Sequence, residues 1–381
     1  MNPALVLSPT SSARLTADQR SGLDVTLRAE LEAHEPPEAR GTSRADVQLL
    51  VSRTASDQVS HHKFAELPDL LLPGDLLVVN NSATVPAAVV VTSAPAALGA
   101  DGPLMVHFAT SMPDGDWLVE VRSGRGPATT PFAGGTAGLL IGLPGGAMLT
   151  LVRRFSRRLW YARLSTAVLP YLLRHGQPIR YSYVPRPWPL QAYQTVFATW
   201  PGSAEMPSAA RPFTPEIVTR LVSRGVAIAP VTLHTGVSSL EGGEDPYPES
   251  YDVPATTARL VNLTRQAGGR VIAAGTTVVR ALESAALARG NDPLASPSTA
   301  TAPAPGGPIG PAAGWTWHVV TRLSGAAVVD GLLTGLHEPR STHLWILAAF
   351  AGDPLLRRCY QEAAEHGYYW HEFGDVHLLL P

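Results

Sequence analysis

Cysteine is nearly absent from the 381 residues, and Cys359 is the only one. A lone thiol excludes an intrachain disulfide framework, a Cys-rich zinc site and an iron–sulfur cluster held by the chain alone. Lysine is as scarce: Lys63 is the only one. A Schiff-base or phosphate-loop lysine would have to be Lys63, and no G-x-x-x-x-G-K-[ST] surrounds it. Charge is low at 16%, and Lys+Arg 29 against Asp+Glu 31 leaves −2. Any nucleic-acid contact must therefore come from a local patch, not a global basic field. No apolar run reaches the ~18 residues of a membrane span, so no membrane partner is expected. Met1 to Arg20 lacks a basic stretch followed by an apolar one, so it reads as a loose tail and not a secretory leader. A cytoplasmic location is expected.

Apolar residues make up 45%, enough for a core, and the length suggests roughly two or three domains. Leu67–Val79 reads as a short helix, a Pro73–Gly74 turn and a buried strand ending at Asn80–Asn81. From Val85 to about Leu164 short apolar runs alternate with Gly/Pro turns. These are Ala87–Val91, Leu104–Phe108, Trp117–Val121, Ala147–Val152 and Leu159–Leu164. The texture predicts a small β-barrel or sandwich. After Thr166 helices and strands alternate: helices over Pro215–Arg224, Thr256–Ala267, Thr277–Arg289 and Ser341–Ala351, strands over Val226–Leu233, Arg270–Ala274 and Ala326–Leu333. The expected fold is α/β: a mostly parallel sheet domain (1–84 and 165–381) with an inserted small β-barrel domain (85–164). Residues 291–314, rich in Pro, Ala and Gly, read as a flexible surface loop.

Sites on open parallel sheets form beyond the carboxyl ends of strands. Three predicted strands end there in polar groups: His234–Thr235–Gly236, Gly275–Thr276–Thr277 and Thr334 to His337. If the strands are neighbours, two imidazoles, a hydroxyl cluster, Arg280 and Arg340 converge. The helix start at Gly275–Thr277 suits a carboxylate or phosphate, or Thr276 or Thr277 simply caps the helix. His234 and His337 are either acid–base groups or satisfied structural histidines. Arg280 and Glu283, one turn apart, suit each other as a pair. His61, His62, His366, His371 and His377 show no metal spacing and read as non-ligands. Cys359 reads as packed. Arg153, Arg154, Arg157 and Arg158 form the densest basic cluster, either a solvated strand edge or a phosphate contact.

Six ordered segments together resemble one family, the S-adenosylmethionine:tRNA ribosyltransferase-isomerases of queuosine biosynthesis. They are GGRVIAAGTTVVRALES at Gly268–Ser284, LPDLLLPGDLLVVNNSATVP at Leu67–Pro86, YQTVFA at Tyr193–Ala198, VTLHTG at Val231–Gly236, HEPRSTHLWILAAFAG at His337–Gly352 and FGDVHLL at Phe373–Leu379. The resemblance implies an enzyme that transfers the ribosyl part of S-adenosylmethionine, not its methyl group. The acceptor is the aminomethyl group of a 7-deazaguanine base in tRNA. Adenine and methionine leave, and epoxyqueuosine results. The expected catalytic residues are His234, Glu249 and His337. Gly275, Thr276, Thr277 and Arg280 are expected to hold S-adenosylmethionine. Asn80, Tyr193, Gln194, Arg340, Ser341 and Thr342 are expected to contact substrate. No metal is expected, tRNA is the implied partner, and a monomer is expected.

The chain departs from the family pattern at polar positions. The family's N-D-T-R is Asn80, Asn81, Ser82 and Ala83 here, and a family histidine is replaced by Pro212. Asp245 to Tyr251 lacks two family histidines but keeps Glu249, and the T-N-F-H-L-P stretch reads Thr334, Gly335, Leu336, His337, Glu338, Pro339. These losses predict weaker activity on the tRNA base, or a different acceptor. An adenosyl-ligand or RNA-binding protein with weakened catalysis is the remaining alternative.

Overall fold

The computed structural model describes residues 28–94, 102–124, 129–237, 247–288, 307–338 and 341–381. In chain order the strands and helices are β1 (Gln48–Arg53), β2 (Gln58–Lys63), α1 (Leu67–Leu70), β3 (Leu76–Asn80), β4 (Ser82–Thr84) and β5 (Ala88–Val90). Then come β6 (Leu104–Ser111), β7 (Trp117–Ser123), β8 (Thr130–Pro131), β9 (Leu140–Gly142), β10 (Met148–Arg154), β11 (Leu159–Leu164) and α2 (Val168–His175). The remainder is β12 (Trp200–Ser203), α3 (Pro215–Ser223), β13 (Ala227–Leu233), β14 (Glu249–Val253), α4 (Ala255–Gln266), β15 (Val271–Ala274), α5 (Thr276–Ala288), β16 (Ala312–Thr316), β17 (Gly331–Gly335), α6 (Thr342–Glu365) and β18 (Val376–Leu380).

A nine-stranded sheet runs β16-β14-β13-β3-β15-β17-β18-β1-β2. Period-2 alternation in β3 shows why it is covered on both sides. Leu76 and Val78 join a core with Val261 of α4, Val279 of α5 and Leu347 of α6. Leu77 and Val79 join the opposite core with Leu67 of α1 and Ile217 and Leu221 of α3. Helix α3 starts where local chemistry says it should. Thr214 Oγ1 accepts from Ile217 N, and Pro215 occupies the first turn.

The sheet is mixed, which corrects the expectation of a mostly parallel one. Parallel pairing is confined to β13-β3-β15-β17 and to β18-β1. The pairs β17–β18, β1–β2, β13–β14 and β14–β16 are antiparallel. Strands β17 and β18 are buried throughout. Burial on both faces says nothing of direction. The strand expected at Ala326–Leu333 begins only at Gly331. Backbone N–H groups of Ala327, Val328 and Val329 donate instead to the buried Glu283 carboxylate, at 2.9, 2.9 and 3.1 Å. They are therefore spent on a side chain and not on a ladder. Residues 291–306 of the expected loop lie outside the described residues, but its end is ordered. Ile309 is buried and exchanges hydrogen bonds with the Asn262 amide, and Ala312 starts β16.

A second, antiparallel sheet is ordered β5-β6-β7-β11-β10-β9, with β8 on β7. It curls far enough for an isolated bridge to join Ser93 to Gly142 of β9. Its core includes Val106, Phe108, Val119, Leu151 and Tyr161, together with Leu172 of α2.

One buried ion pair ties the centre of the main sheet. The Asp75 carboxylate accepts from Leu72 N at 2.8 Å and from Arg270 Nε and Nη2 at 3.0 and 2.5 Å. Asp75→Ala leaves the Arg270 guanidinium without its partner and is expected to cost about 3–5 kcal/mol in urea unfolding. Asp69→Ala breaks exposed pairs with Arg220 and Arg224 and is expected to cost less than about 1 kcal/mol.

Candidate active site

Strands β13, β3, β15 and β17 lie side by side and parallel, so their carboxyl ends open on one side of the sheet. A cavity of about 210 Å³ sits there. Its wall takes Thr235 and Gly236 past β13, Gly275, Thr276 and Thr277 past β15, and Thr334 to Glu338 past β17. Gly275 holds a backbone φ of 108°, which L side chains rarely adopt, and so lets the strand turn directly into α5. The Thr276 hydroxyl lies 3.1 Å from His343 Nδ1, and the Thr277 hydroxyl accepts from Asn80 Nδ2 at 3.3 Å.

Arg280 reaches this wall from α5, and its donors are already engaged. It pairs with Glu249 and donates from Nε to the His318 carbonyl at 3.0 Å and from Nη2 to the Thr316 carbonyl at 3.0 Å. Glu249 also accepts from Gly236 N at 2.9 Å. The pair therefore fixes β14, β16 and the β13 exit around the cavity. The expected Arg280–Glu283 pairing is replaced by Arg280–Glu249.

His337 lies in the wall, with Nε2 2.9 Å from Thr334 Oγ1 and its ring stacked on His343 at 4.1 Å. Burial pushes His337 well below its ordinary pKa and His343 down to about 4. Both rings are neutral at physiological pH and serve as hydrogen-bonding groups, not cations. Ser341 and Thr342 also line the cavity, and the buried Ser341 Oγ has no hydrogen-bond partner within the protein.

Other expected residues lie behind the wall. His234 is not among the lining residues, and its Nδ1 lies 2.7 Å from Ser82 Oγ. It packs on Gly202, where an added Cβ would come within 2.5 Å of the ring. Asn80 is wholly buried and bonded to β13. Tyr193 is buried against Phe373, and Gln194 clamps Thr84 through both N and O. Arg340 lies outside the described residues. Of the positions that depart from the family pattern, Tyr247 and Gly335 line the cavity. Asn81 instead accepts from Thr232 Oγ1, and Ala83 pairs with Pro201 between β4 and β12. Those two changes fall in scaffold and not in a substrate-reading loop, as does Pro212, which is absent from the lining.

The structure adds lining residues that sequence reasoning missed: Arg158, Glu205, Glu338, His343, His371 and Glu372. Arg158 resolves the basic cluster, since it turns inward to Glu120 at 3.0 Å while Arg153 and Arg154 cover the Tyr161 and Trp160 rings. His371 holds φ 75°, rare for a non-glycine, and its Nε2 and Nδ1 lie 3.0 and 3.4 Å from Glu32 and Glu338. Glu372 is the outlier among the carboxyls. Its Oε1 is sealed from solvent and has no hydrogen-bond partner among the described residues. Burial pushes it up to about 8, nearby Glu205 adds to the rise, and Arg211 opposes it. No periodicity or motif signalled it, because it sits in irregular chain between α6 and β18.

Two outcomes follow. Arg280→Ala leaves Glu249 as a buried charge without its guanidinium. It is expected to lower stability by about 3–5 kcal/mol in denaturant unfolding, and any loss of ligand affinity is additional. Glu372 holds its proton up to about 8 in the folded state, against 4.5 for an ordinary glutamate. The folded chain then binds more protons than the unfolded chain between those values. Stability must fall as pH rises through that window, at up to about 1.4 kcal/mol per pH unit from this group. Glu372→Gln removes the titration, so its melting temperature is expected to gain on the wild type between pH 5 and 8. An unchanged difference would show an ordinary carboxyl.

The family described as "Queuosine biosynthesis protein" matches residues 21–379. The S-adenosylmethionine:tRNA ribosyltransferase-isomerase of Chlorobium luteolum is 34% identical, over 94% of this chain and 98% of its own length. The protein of the same name from Symbiobacterium thermophilum is 31% identical over 94% and 99%. The crystal structure of the S-adenosylmethionine tRNA ribosyltransferase from Thermotoga maritima matches with a TM-score of 0.51 at 25% identity, over 94% of this chain and 100% of that one. With the family matched along nearly its whole length, the chain belongs to the queuosine biosynthesis protein family.

Proposed function

We propose that this protein is an S-adenosylmethionine:tRNA ribosyltransferase-isomerase. It moves the ribosyl part of S-adenosylmethionine onto the 7-aminomethyl-7-deazaguanine base of a tRNA, releases adenine and methionine, and leaves epoxyqueuosine. The observation that carries the reading is the cavity itself. It is assembled at the carboxyl ends of adjacent parallel strands from the chain segments that resemble the family's, Gly268–Ser284 and the stretch from His337.

The lining suits these reactants. The α5 N-terminus at Gly275–Thr277 presents a positive dipole end to the methionine carboxylate. Glu205 and Glu338 face the same space, and their carboxylates suit the sulfonium and ammonium groups of the donor and the aminomethyl group of the acceptor. Glu372, protonated at neutral pH, is placed to give a proton to the departing adenine as the glycosidic electron pair leaves with it. Methionine departs with the C5′–S electron pair, and the proton that the acceptor nitrogen loses as its new bond to the sugar carbon forms restores the acid. We read β5 to β11 as an inserted β-barrel domain at 85–164, supported by its separate core and the Ser93–Gly142 bridge.

A second reading keeps the donor and changes the acceptor. Tyr247 and Gly335, which replace polar family residues, lie in the cavity wall. One assay separates the two. Purified protein is incubated with S-adenosylmethionine and either tRNA carrying the aminomethyl base or the free base, and adenine and epoxyqueuosine are followed together. Adenine release that depends on the modified tRNA is expected. Release with the free base alone would move the acceptor to a small molecule, and methyl-label transfer would reject the reaction class. Glu372→Gln is expected to lower turnover by roughly 10²-fold, the scale of general acid catalysis.

A further inference from the structure

Strand β2 forms one edge of the nine-stranded sheet, and α6 ends beside it. His61 of β2 meets that helix end. Its Nε2 lies 3.4 Å from Glu362 Oε2, and His366 Nδ1 lies 3.7 Å from the same oxygen. Glu362 and His366 are four residues apart, which puts them on one helix face. The two imidazoles stack with centroids 3.8 Å apart. One ligand atom from each of the three residues lies within 4.8 Å of the others. Spacing along the chain could not reveal this group, because His61 and Glu362 are 301 positions apart.

The donor set is two imidazoles and a carboxylate. It is the set that borderline divalent cations take, with water completing a tetrahedron. A second observation points the same way. His61 Nδ1 lies 3.0 Å from the hydroxyl of the buried Tyr368. Metal-bound histidines use their second ring nitrogen in this manner, and the bond fixes the tautomer. In the tautomer whose Nδ1–H donates to the Tyr368 hydroxyl, Nε2 keeps its lone pair on the Glu362 side, where a cation can take it. His366 Nδ1 lies 2.9 Å from the Glu362 carbonyl, which accepts its proton, and leaves Nε2 as the nitrogen free to bind a cation. None of these residues lines the cavity. We propose that His61, Glu362 and His366 bind one divalent cation of the Zn²⁺ class and so fasten the edge strand β2 to the end of α6.

The test uses Zn²⁺ and the full chain after chelator treatment. Competition with a chromophoric chelator is expected to show one site per chain. Co²⁺ in its place is expected to give the visible absorption of a low-symmetry site. His61→Ala and His366→Ala are each expected to weaken binding at least ~10-fold, and Tyr368→Phe by roughly 10-fold. Zn²⁺ should raise the melting temperature of the wild type and leave the His61→Ala/His366→Ala double variant unmoved. Glu362→Gln, nearly isosteric, covers the case in which a histidine variant fails to fold, and circular dichroism checks each. Absence of competitive Zn²⁺ binding by the wild type overturns the proposal. So does a double variant that keeps the same stoichiometry and affinity.

Discussion

The site hangs on one buried amide. Asn80, at the end of the central strand β3, gives Nδ2 to the Leu233 carbonyl at 2.8 Å and to the Thr277 hydroxyl at 3.3 Å. Its Oδ1 accepts from Leu233 N at 3.1 Å and Ser82 N at 3.0 Å. The carboxyl ends of β13 and β3 and the start of α5 are thus fixed to one another through a single side chain. An amide with each of its groups engaged in a dry setting has no competing water partner, so the geometry is rigid. Asparagine serves here because it offers donors and an acceptor at once; aspartate would lack the donors. The amide expected to touch substrate is engaged here by Leu233, Ser82 and Thr277.

Around this clamp the titratable groups divide into neutral histidines and one neutral acid. His337 and His343 are held uncharged by burial, and Glu372 is held protonated by burial and by Glu205. These are one effect acting on opposite chemistries. A low-dielectric wall disfavours whichever form is charged, so bases fall and acids rise. The histidines lie against hydroxyls, His337 against Thr334 and His343 against Thr276, and the pKa of the neighbouring acid Glu372 is raised to about 8.

Much of the scaffold was legible because its signals are local. Thr214, Pro215 and Gly225 bracket α3, and Gly268–Gly269 stops α4 next to β15. Gly352, with φ 68°, breaks α6 just where the helix expected over Ser341–Ala351 ends. Strand direction was not legible, because β17 and β18 are equally apolar whichever way they run. The 327–329 turn was hidden because its partner, Glu283, is 44 to 46 residues away. The cavity was half legible. Thr276, Thr277 and His337 lie at strand exits, where pattern and position coincide. Glu205 and Glu372 come from irregular segments on the opposite side of the cavity, and only tertiary packing brings them together.

The charge balance of the cavity has a consequence for proton transfer. Guanidinium groups near it have carboxylate partners: Arg158 shares Glu120 with Arg122, Arg280 pairs with Glu249 and Arg211 with Glu38. Burial and the neighbouring Glu205 hold the Glu372 proton in place, and Arg211 opposes them. A cationic reactant set among these groups opposes both burial and like-charge repulsion, so it lowers the Glu372 pKa. On the proposed function the acid strengthens when the reactant arrives and weakens when it departs, so binding and proton donation are coupled through Glu372 and its neighbour Glu205.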